Sequence, residues 1–365
     1  MEQQFHTYPA PGEILAIQLG DKHWTQAEFA EILGRPAQFV SEIIAGKKEI
    51  TRESAGQIGA ALGMKAEFWL DLQNKHLLQL QRLNPETQQT LDTVRRRARI
   101  NTWAPVALLR KRGIIAGKTL DEIEREVERL FGVNDLSQSP TDVLALAARR
   151  TNLTNALSPV QLSWVAVARQ QARELSVSKL DVEALSKLAS TLTTRAADPA
   201  AVSGFAQLLA DVGVRLVYVE AFPGSKMDGA SFLLDGDEEQ PVIAISGRGK
   251  RLDKVIFTLL HEIAHVVNGD LQDGAHIHDE NTAHTLGDEG AADQLAGSWQ
   301  IPGGLPAAPA SIRKPWIDRV ALRAGVHPIV VVGRLQSEKV IDWRTPLVKG
   351  APNVDKQLEA WRRSA

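Results

Sequence analysis

Residues 259–270 read LLHEIAHVVNGD, which sets His261 and His265 four apart inside an apolar run. Side chains at that spacing leave the same face of a helix, so the two imidazoles can reach a single zinc ion. Glu262, next to the first of them, can reach a water beside that ion and take its proton. A buried polar group without a partner is costly, and a shared dication would give both rings one. The chain has no cysteine. Any metal must therefore be held by histidine and carboxylate, and thiol nucleophiles and disulfide staples are excluded.

The spacing is the H-E-x-x-H arrangement of zinc peptidases. A catalytic zinc needs a third protein ligand and an open position. His276, His278, Glu280, His284 and Glu289 stand downstream as candidates. The three-histidine extension of the motif needs Gly at 268 and His at 271, where this chain has Asn268 and Leu271. DEGAADQLAGSWQIP (288–302) predicts a second helix with Asp293 one turn after Glu289. In that arrangement, gluzincin-like, Glu289 closes the shell and Asp293 accepts the other ring N–H of a ligand histidine. HIHDENTAH (276–284) reads as a solvated loop whose histidines are competing donors. The group that supports an oxyanion is left open among His276, His278, His284 and Arg248, because tyrosine occurs only at Tyr8 and Tyr218.

The elements that must position these residues are legible nearby. RLDKVIFTLLHEIAHVVNG (251–269) predicts a long helix that stops at Gly269. VRLVYVE (214–220), GASFLL (229–234) and PVIAIS (241–246) are short, rich in β-formers and separated by Gly and Asp, which predicts an antiparallel sheet. GASFLL is read as an edge strand able to pair with an extended substrate.

Residues 200–305 resemble the ImmA/IrrE family of metallopeptidases. Glu289, Asp293, Ala296 and Pro302 stand where that family places a Glu, an Asn or Asp, small residues and a Pro. The chain departs from the pattern in its more polar WQIP end and in Ala291, where many relatives carry a second Glu. The resemblance implies a peptide-bond hydrolase, active or latent. It would hold one Zn2+ per chain on His261, His265 and Glu289, with Glu262 as general base and Asp293 behind a ligand ring. It also implies that the helices of residues 311–343 pack on the peptidase segment. His327, just before Pro328, reads as a capping residue, and residues past Pro346 read as a loose tail with one short helix.

The first eighty residues form a different pattern. TQAEFAEILG opens with a capping box, Thr25 and Glu28. PAQFVSEIIAG and TRESAGQIGAALG follow, each closed by Gly, and KAEFWLDLQNKHLLQL adds an amphipathic helix with Phe68, Trp69 and Leu72 on its apolar side. Short helices joined across GRP suit a helix-turn-helix. Residues 9–80 resemble the XRE-type fold of HigA-like antitoxins. That resemblance implies that Gln38 and Ser41 face base edges in the major groove, and that Gln26, Lys47 and Lys48 face phosphate. The charge runs the other way: seven Lys or Arg stand against ten Asp or Glu in residues 1–80, which opposes binding to a polyanion. The competing reading is a helix-turn-helix used for protein contact or dimerisation. RRRARINTWAPVALLRKR (95–112) carries seven basic residues and no acidic one. It reads as a solvated helical face or as a supplementary phosphate contact.

The bulk chain supports two or three domains in 365 residues, with 42 Lys and Arg against 44 Asp and Glu. No apolar run is long enough to span a bilayer. The N-terminus lacks a basic start and an apolar core, so the expected compartment is the cytoplasm. The expected class is mainly α with a small antiparallel sheet, α+β. Its expected divisions are a helix-turn-helix (1–80), a helical connecting region (81–200), a zinc peptidase (201–310), C-terminal helices (311–350) and a tail (351–365). The resemblances together imply a homodimeric regulator that binds promoter or operator DNA and cleaves a repressor- or antitoxin-like protein in a toxin–antitoxin, phage or stress circuit. The competing function is a non-proteolytic repressor whose metal is structural or sensing. Glu262 discriminates between them, since only hydrolysis needs a carboxylate beside the ligands.

Overall fold

The computed structural model describes residues 8–138, 157–273, 276–279 and 288–362. The chain is α+β and divides into two compact units, Met1–Arg96 and Arg97–Ala365.

The secondary-structure elements described in the first unit are all helices. Helices Pro11–Asp21, Gln26–Ile32, Ala37–Ile44, Arg52–Leu62 and Ala66–Leu83 follow one another. The expected capping box is formed: Glu28 N–H donates to Thr25 Oγ1 at 3.2 Å, and Thr25 N–H to Glu28 Oε2 at 2.7 Å. A second box at Thr51 and Ser54 was not expected, because Ser takes the place of the usual Glu or Gln. Leu15, Phe29, Val40, Ile58 and Trp69 form the centre of the core. Phe68 departs from expectation. It is exposed, and Gln73 is buried one turn after Trp69. The Gln73 amide pairs both ways with the backbone of Ile50, at 2.6 and 3.0 Å, which offsets its burial.

The second unit is organised by a four-stranded sheet in the order β1 (Arg215–Tyr218), β3 (Pro241–Ile245), β2 (Met227–Leu233), β4 (His276–Asp279). One face of the sheet packs on helix Leu252–Asn268, the motif helix, through Leu216, Tyr218, Ile243 and Ile245. The other face packs on helix Pro159–Arg173 through Val217, Ala230, Val242 and Ala244. That second helix begins at the capping box of Ser158 and Gln161, and its Trp164 Nε1–H donates to the Val219 carbonyl at 2.8 Å. Helices Val182–Arg195, Asp288–Gln300 and Pro328–Ser337 also pack against the motif helix.

Four expectations are corrected. The sheet is mixed: β1 runs parallel to β3, while β2 is antiparallel to β3 and β4. Every residue of β3 is buried, as befits a strand covered on both faces. GASFLL is not an edge strand, because β2 is paired on both sides. Residues 276–279 are strand rather than loop, with His276 and Ile277 buried. The C-terminal tail is docked: Leu358 and Trp361 are buried, and Trp361 Nε1–H donates to the Val202 carbonyl at 2.8 Å. From Arg97 onward the residues belong to the second unit. The helix start read at Ser139 and Pro140 lies outside the described residues, as do Glu280 and His284.

Candidate metal centre

The motif helix is buried on nearly every side, and His261, Glu262 and His265 are each at most 1 % exposed. Most of the other buried residues of the helix are apolar; these three need chemistry. Helix Asp288–Gln300 lies alongside and sets Glu289 over both rings. Glu289 Oε2 is 3.2 Å from His261 Nε2, and Glu289 Oε1 is 3.6 Å from His265 Nε2. The two Nε2 atoms are 3.1 Å apart. Each side chain offers a ligand atom within 4.8 Å of the others'. A tetrahedral zinc with bonds near 2.0–2.1 Å keeps its ligand atoms about 3.3 Å apart, so the three edges fit one such ion.

The outer ring nitrogens are fixed as well. His261 Nδ1 is 2.9 Å from Asp293 Oδ1, and His265 Nδ1 is 2.8 Å from Asp270 Oδ2. A carboxylate at neutral pH only accepts, so each Nδ1 carries a proton, and in the neutral form of each ring Nε2 would turn a lone pair inward. The Asp293 contact ties the motif helix to helix Asp288–Gln300. Asp270 was missed. The motif helix ends at Gly269 in the left-handed region, φ 80°, which turns the chain so that the next residue returns beneath His265. An acid immediately after the capping glycine was the available signal. Asn at position 270 keeps the shape and loses the charge; the expected result is zinc affinity weakened by about 10–100-fold, read by competition with a chelator. Unchanged affinity would remove Asp270 from the supporting set.

Four carboxylates, Glu262, Glu289, Asp270 and Asp293, surround two imidazoles. Burial alone would lower the His261 pKa, but hydrogen bonds to Asp293 and Glu289 and the charge of Glu262 push it up to about 10. For His265 burial is likewise outweighed, by Asp270 and Glu289, and the value reaches about 9. Burial would raise Glu289, yet hydrogen bonds from His261, His265 and His276 hold it well below the usual carboxylate range. Rings that would each take a second proton mark a place short of positive charge. One dication would supply that charge and leave the rings neutral to ligate.

Glu262 differs from the other three acids. It is fully buried, and neither carboxylate oxygen has a hydrogen-bond partner of normal geometry. Burial raises its pKa, opposed by the two histidines and by the nearby Ser231 hydroxyl. Gly229 on β2 makes room for it: a Cβ there would stand 2.8 Å from Glu262 Oε1 and 2.7 Å from Thr258 Cγ2. Sequence reasoning took Gly229 only as part of a strand, although a strand glycine often marks a close approach.

His276 is brought to the site without joining the three. Its ring stacks on His265, with centroids 4.1 Å apart. Its Nδ1 is 3.5 Å from Glu289 Oε1, and its Nε2 is 3.2 Å from the Asp270 carbonyl. Arg248 does not face the cluster with a free guanidinium: Nη1–H donates to the Lys226 carbonyl at 3.1 Å, and Nε is 3.3 Å from Asp228. His327 caps helix Pro328–Ser337, its Nδ1 accepting from Ile329 N–H at 3.2 Å.

The residues read toward DNA all lie in the first unit. Gln26 and Gln38 are exposed, as are Lys47 and Lys48, and Ser41 is half-buried. Gln38 Nε2–H donates to Glu42 Oε1 at 2.8 Å, and Lys48 Nζ is 3.4 Å from Glu42 Oε2. These contacts, the Gln38 bond first, hold the Glu42 carboxyl below its ordinary pKa. Ser41 Oγ–H donates to the Gln38 carbonyl. In the basic segment, Arg110 donates to the Gly117 carbonyl and Arg112 pairs with Glu220. Those two guanidiniums anchor loops; Arg97 and Arg99 are exposed.

Residues 213–336 match the IrrE N-terminal-like domain, Peptidase_M78, and this part of the chain is a metallopeptidase-type domain. Over 90 residues the chain is 29% identical to YddM of Escherichia coli (strain K12), described as an uncharacterised HTH-type transcriptional regulator; the match covers 25% of this chain and 89% of that protein. It is also 40% identical to a crystal structure from Nostoc punctiforme, described as a candidate antidote protein of a plasmid maintenance system, over 23% of this chain and 93% of that one, with a TM-score of 0.21. Among the described residues no helix is long and apolar enough to cross a membrane.

Proposed function

We propose that this chain, a helix-turn-helix joined to an IrrE-type metallopeptidase domain, is a cytoplasmic DNA-binding regulator that cuts a protein with the help of one zinc ion. The observation that carries the proposal is the convergence of His261, His265 and Glu289 beside an unpartnered, buried Glu262. A bound zinc supplies Lewis acidity toward a peptide carbonyl and brings the pKa of adjacent water to about 7. His261 and His265 present Nε2 lone pairs, held in that tautomer by Asp293 and Asp270. Glu289 adds the third donor and one negative charge. Glu262 takes the proton from the attacking water and passes it to the leaving amine. A structural or sensing site would have no use for that carboxylate.

The regulator half of the proposal rests on the helical first unit and its likeness to a helix-turn-helix protein. Helix Ala37–Ile44 enters the major groove with Gln38 and Ser41 toward base edges, and Gln26, Lys47 and Lys48 touch phosphate. A homodimer reads two half-sites of an operator, and the substrate is a repressor- or antitoxin-like protein. Elemental analysis of the purified chain tests the metal. About one zinc per chain is expected, lost in His261→Ala. Wild-type protein that stays zinc-free when zinc is supplied would overturn the reading.

A further inference from the structure

A cleft of about 640 Å³ opens in the second unit along the N-terminal half of the motif helix. Phe257 and Thr258 line it, one turn ahead of His261 and Glu262, and the Phe257 ring lies 6.1 Å from that of His261. Its charged lining is uneven: Arg248, Arg251, Lys254 and Lys339 face Asp228 and Asp253. Both acids are already engaged. Asp253 takes two bonds from Arg251, at 2.6 and 2.7 Å, and Asp228 lies 3.3 Å from Arg248. Lys254 and Lys339 have no carboxylate partner among the described residues. Lys254 rests instead on the ring of Trp343, 5.5 Å from its centroid, and that tryptophan is 55% exposed. Lys339 sits at φ 58°. That is a left-handed position after a helix, where glycine or asparagine is the ordinary choice, so its side chain is kept against a backbone preference.

We infer that this cleft receives an acidic stretch of the substrate polypeptide and fixes where the chain is cut. The inference rests on the hydrolytic reading of the neighbouring centre. Lys254, Phe257 and His261 share one face of the motif helix, and seven residues of helix span about 10.5 Å. An extended peptide advances about 3.3 Å per residue. A carboxylate paired with Lys254 therefore lies about three residues from the scissile bond. Lys339 takes a second carboxylate, and Trp343 offers its face to an apolar or aromatic neighbour.

The test measures binding separately from cleavage. Full-length, zinc-loaded protein carrying Glu262→Gln is titrated into fluorescein-labelled dodecapeptide pools with a fixed central Glu-Glu or Gln-Gln. The expected result at low salt is roughly tenfold tighter binding of the Glu-Glu pool. Adding Lys254→Glu and Lys339→Gly abolishes that preference and leaves the Gln-Gln pool unchanged. Lys254 is exposed and the glycine relieves a left-handed residue, so a matching thermal transition is expected and certifies the fold. Equal binding of the two pools, or a preference that survives both substitutions, overturns the inference. So does duplex DNA that displaces the acidic pool in a Lys254-dependent way, which would assign the cleft to phosphate. An acidic preference in protein whose native Glu262 form cuts nothing leaves the cleft standing and removes the hydrolase.

Discussion

Replacing Glu262 with glutamine lowers peptide cleavage by about 10²–10⁴-fold, the range of a lost general base, and leaves the zinc content unchanged. The two halves of this result belong together. Glutamine matches the shape of the carboxyl in the space that Gly229 leaves, and Glu262 is outside the three-residue cluster that would hold the ion. The charged form is also costly where it stands, buried without hydrogen bonds of normal geometry. Glutamine therefore folds at least as well, and a thermal transition at or above that of the native chain is expected. Turnover of a protein substrate by the zinc-loaded chains is the measurement. A variant that cuts at the native rate with zinc bound would show that the proton goes elsewhere.

The second large effect is on DNA. If Lys47 and Lys48 are the phosphate contacts of each protomer, a dimer neutralises four phosphates through them. The slope of log affinity against log salt is then about −3.6. Raising salt from about 50 to about 200 mM weakens operator binding roughly 150-fold on that slope. Replacing both lysines with alanine flattens the slope toward zero and weakens binding to all sequences alike. Gln38→Ala acts differently. It costs discrimination at one base position, by about 1–3 kcal/mol for a lost bidentate contact, and it frees Glu42 from one of its partners. Fluorescence anisotropy on promoter DNA across a salt series distinguishes these outcomes. No binding even at low salt would remove the operator, and the excess of acids in residues 1–80 would then stand as the reason.

The convergence of His261, His265 and Glu289 was legible because helical spacing is a strict geometric constraint. Two histidines four apart must share a face, and a Glu with an Asp four residues on can send both to one neighbour. The capping box at Thr25 was legible for the same reason, being local. What was lost depends on direction or on contacts distant in sequence. Alternating β-formers do not encode whether β1 runs with or against β3. Nothing in the spacing says that a chain turning at Gly269 folds back under His265. Gln73 is buried because its amide pairs with the Ile50 backbone, a partner 23 residues away in the chain.

The pairing of β2 on both flanks bears on how the centre could be blocked by a small molecule. A compound that mimics an extended strand needs a vacant row of amides and carbonyls, and β2 is paired on both flanks at Gly229, Ala230 and Ser231. On the proposed zinc and cleft assignments, a zinc-seeking warhead joined to an anionic arm, laid along the helix toward Lys254, is the design that follows.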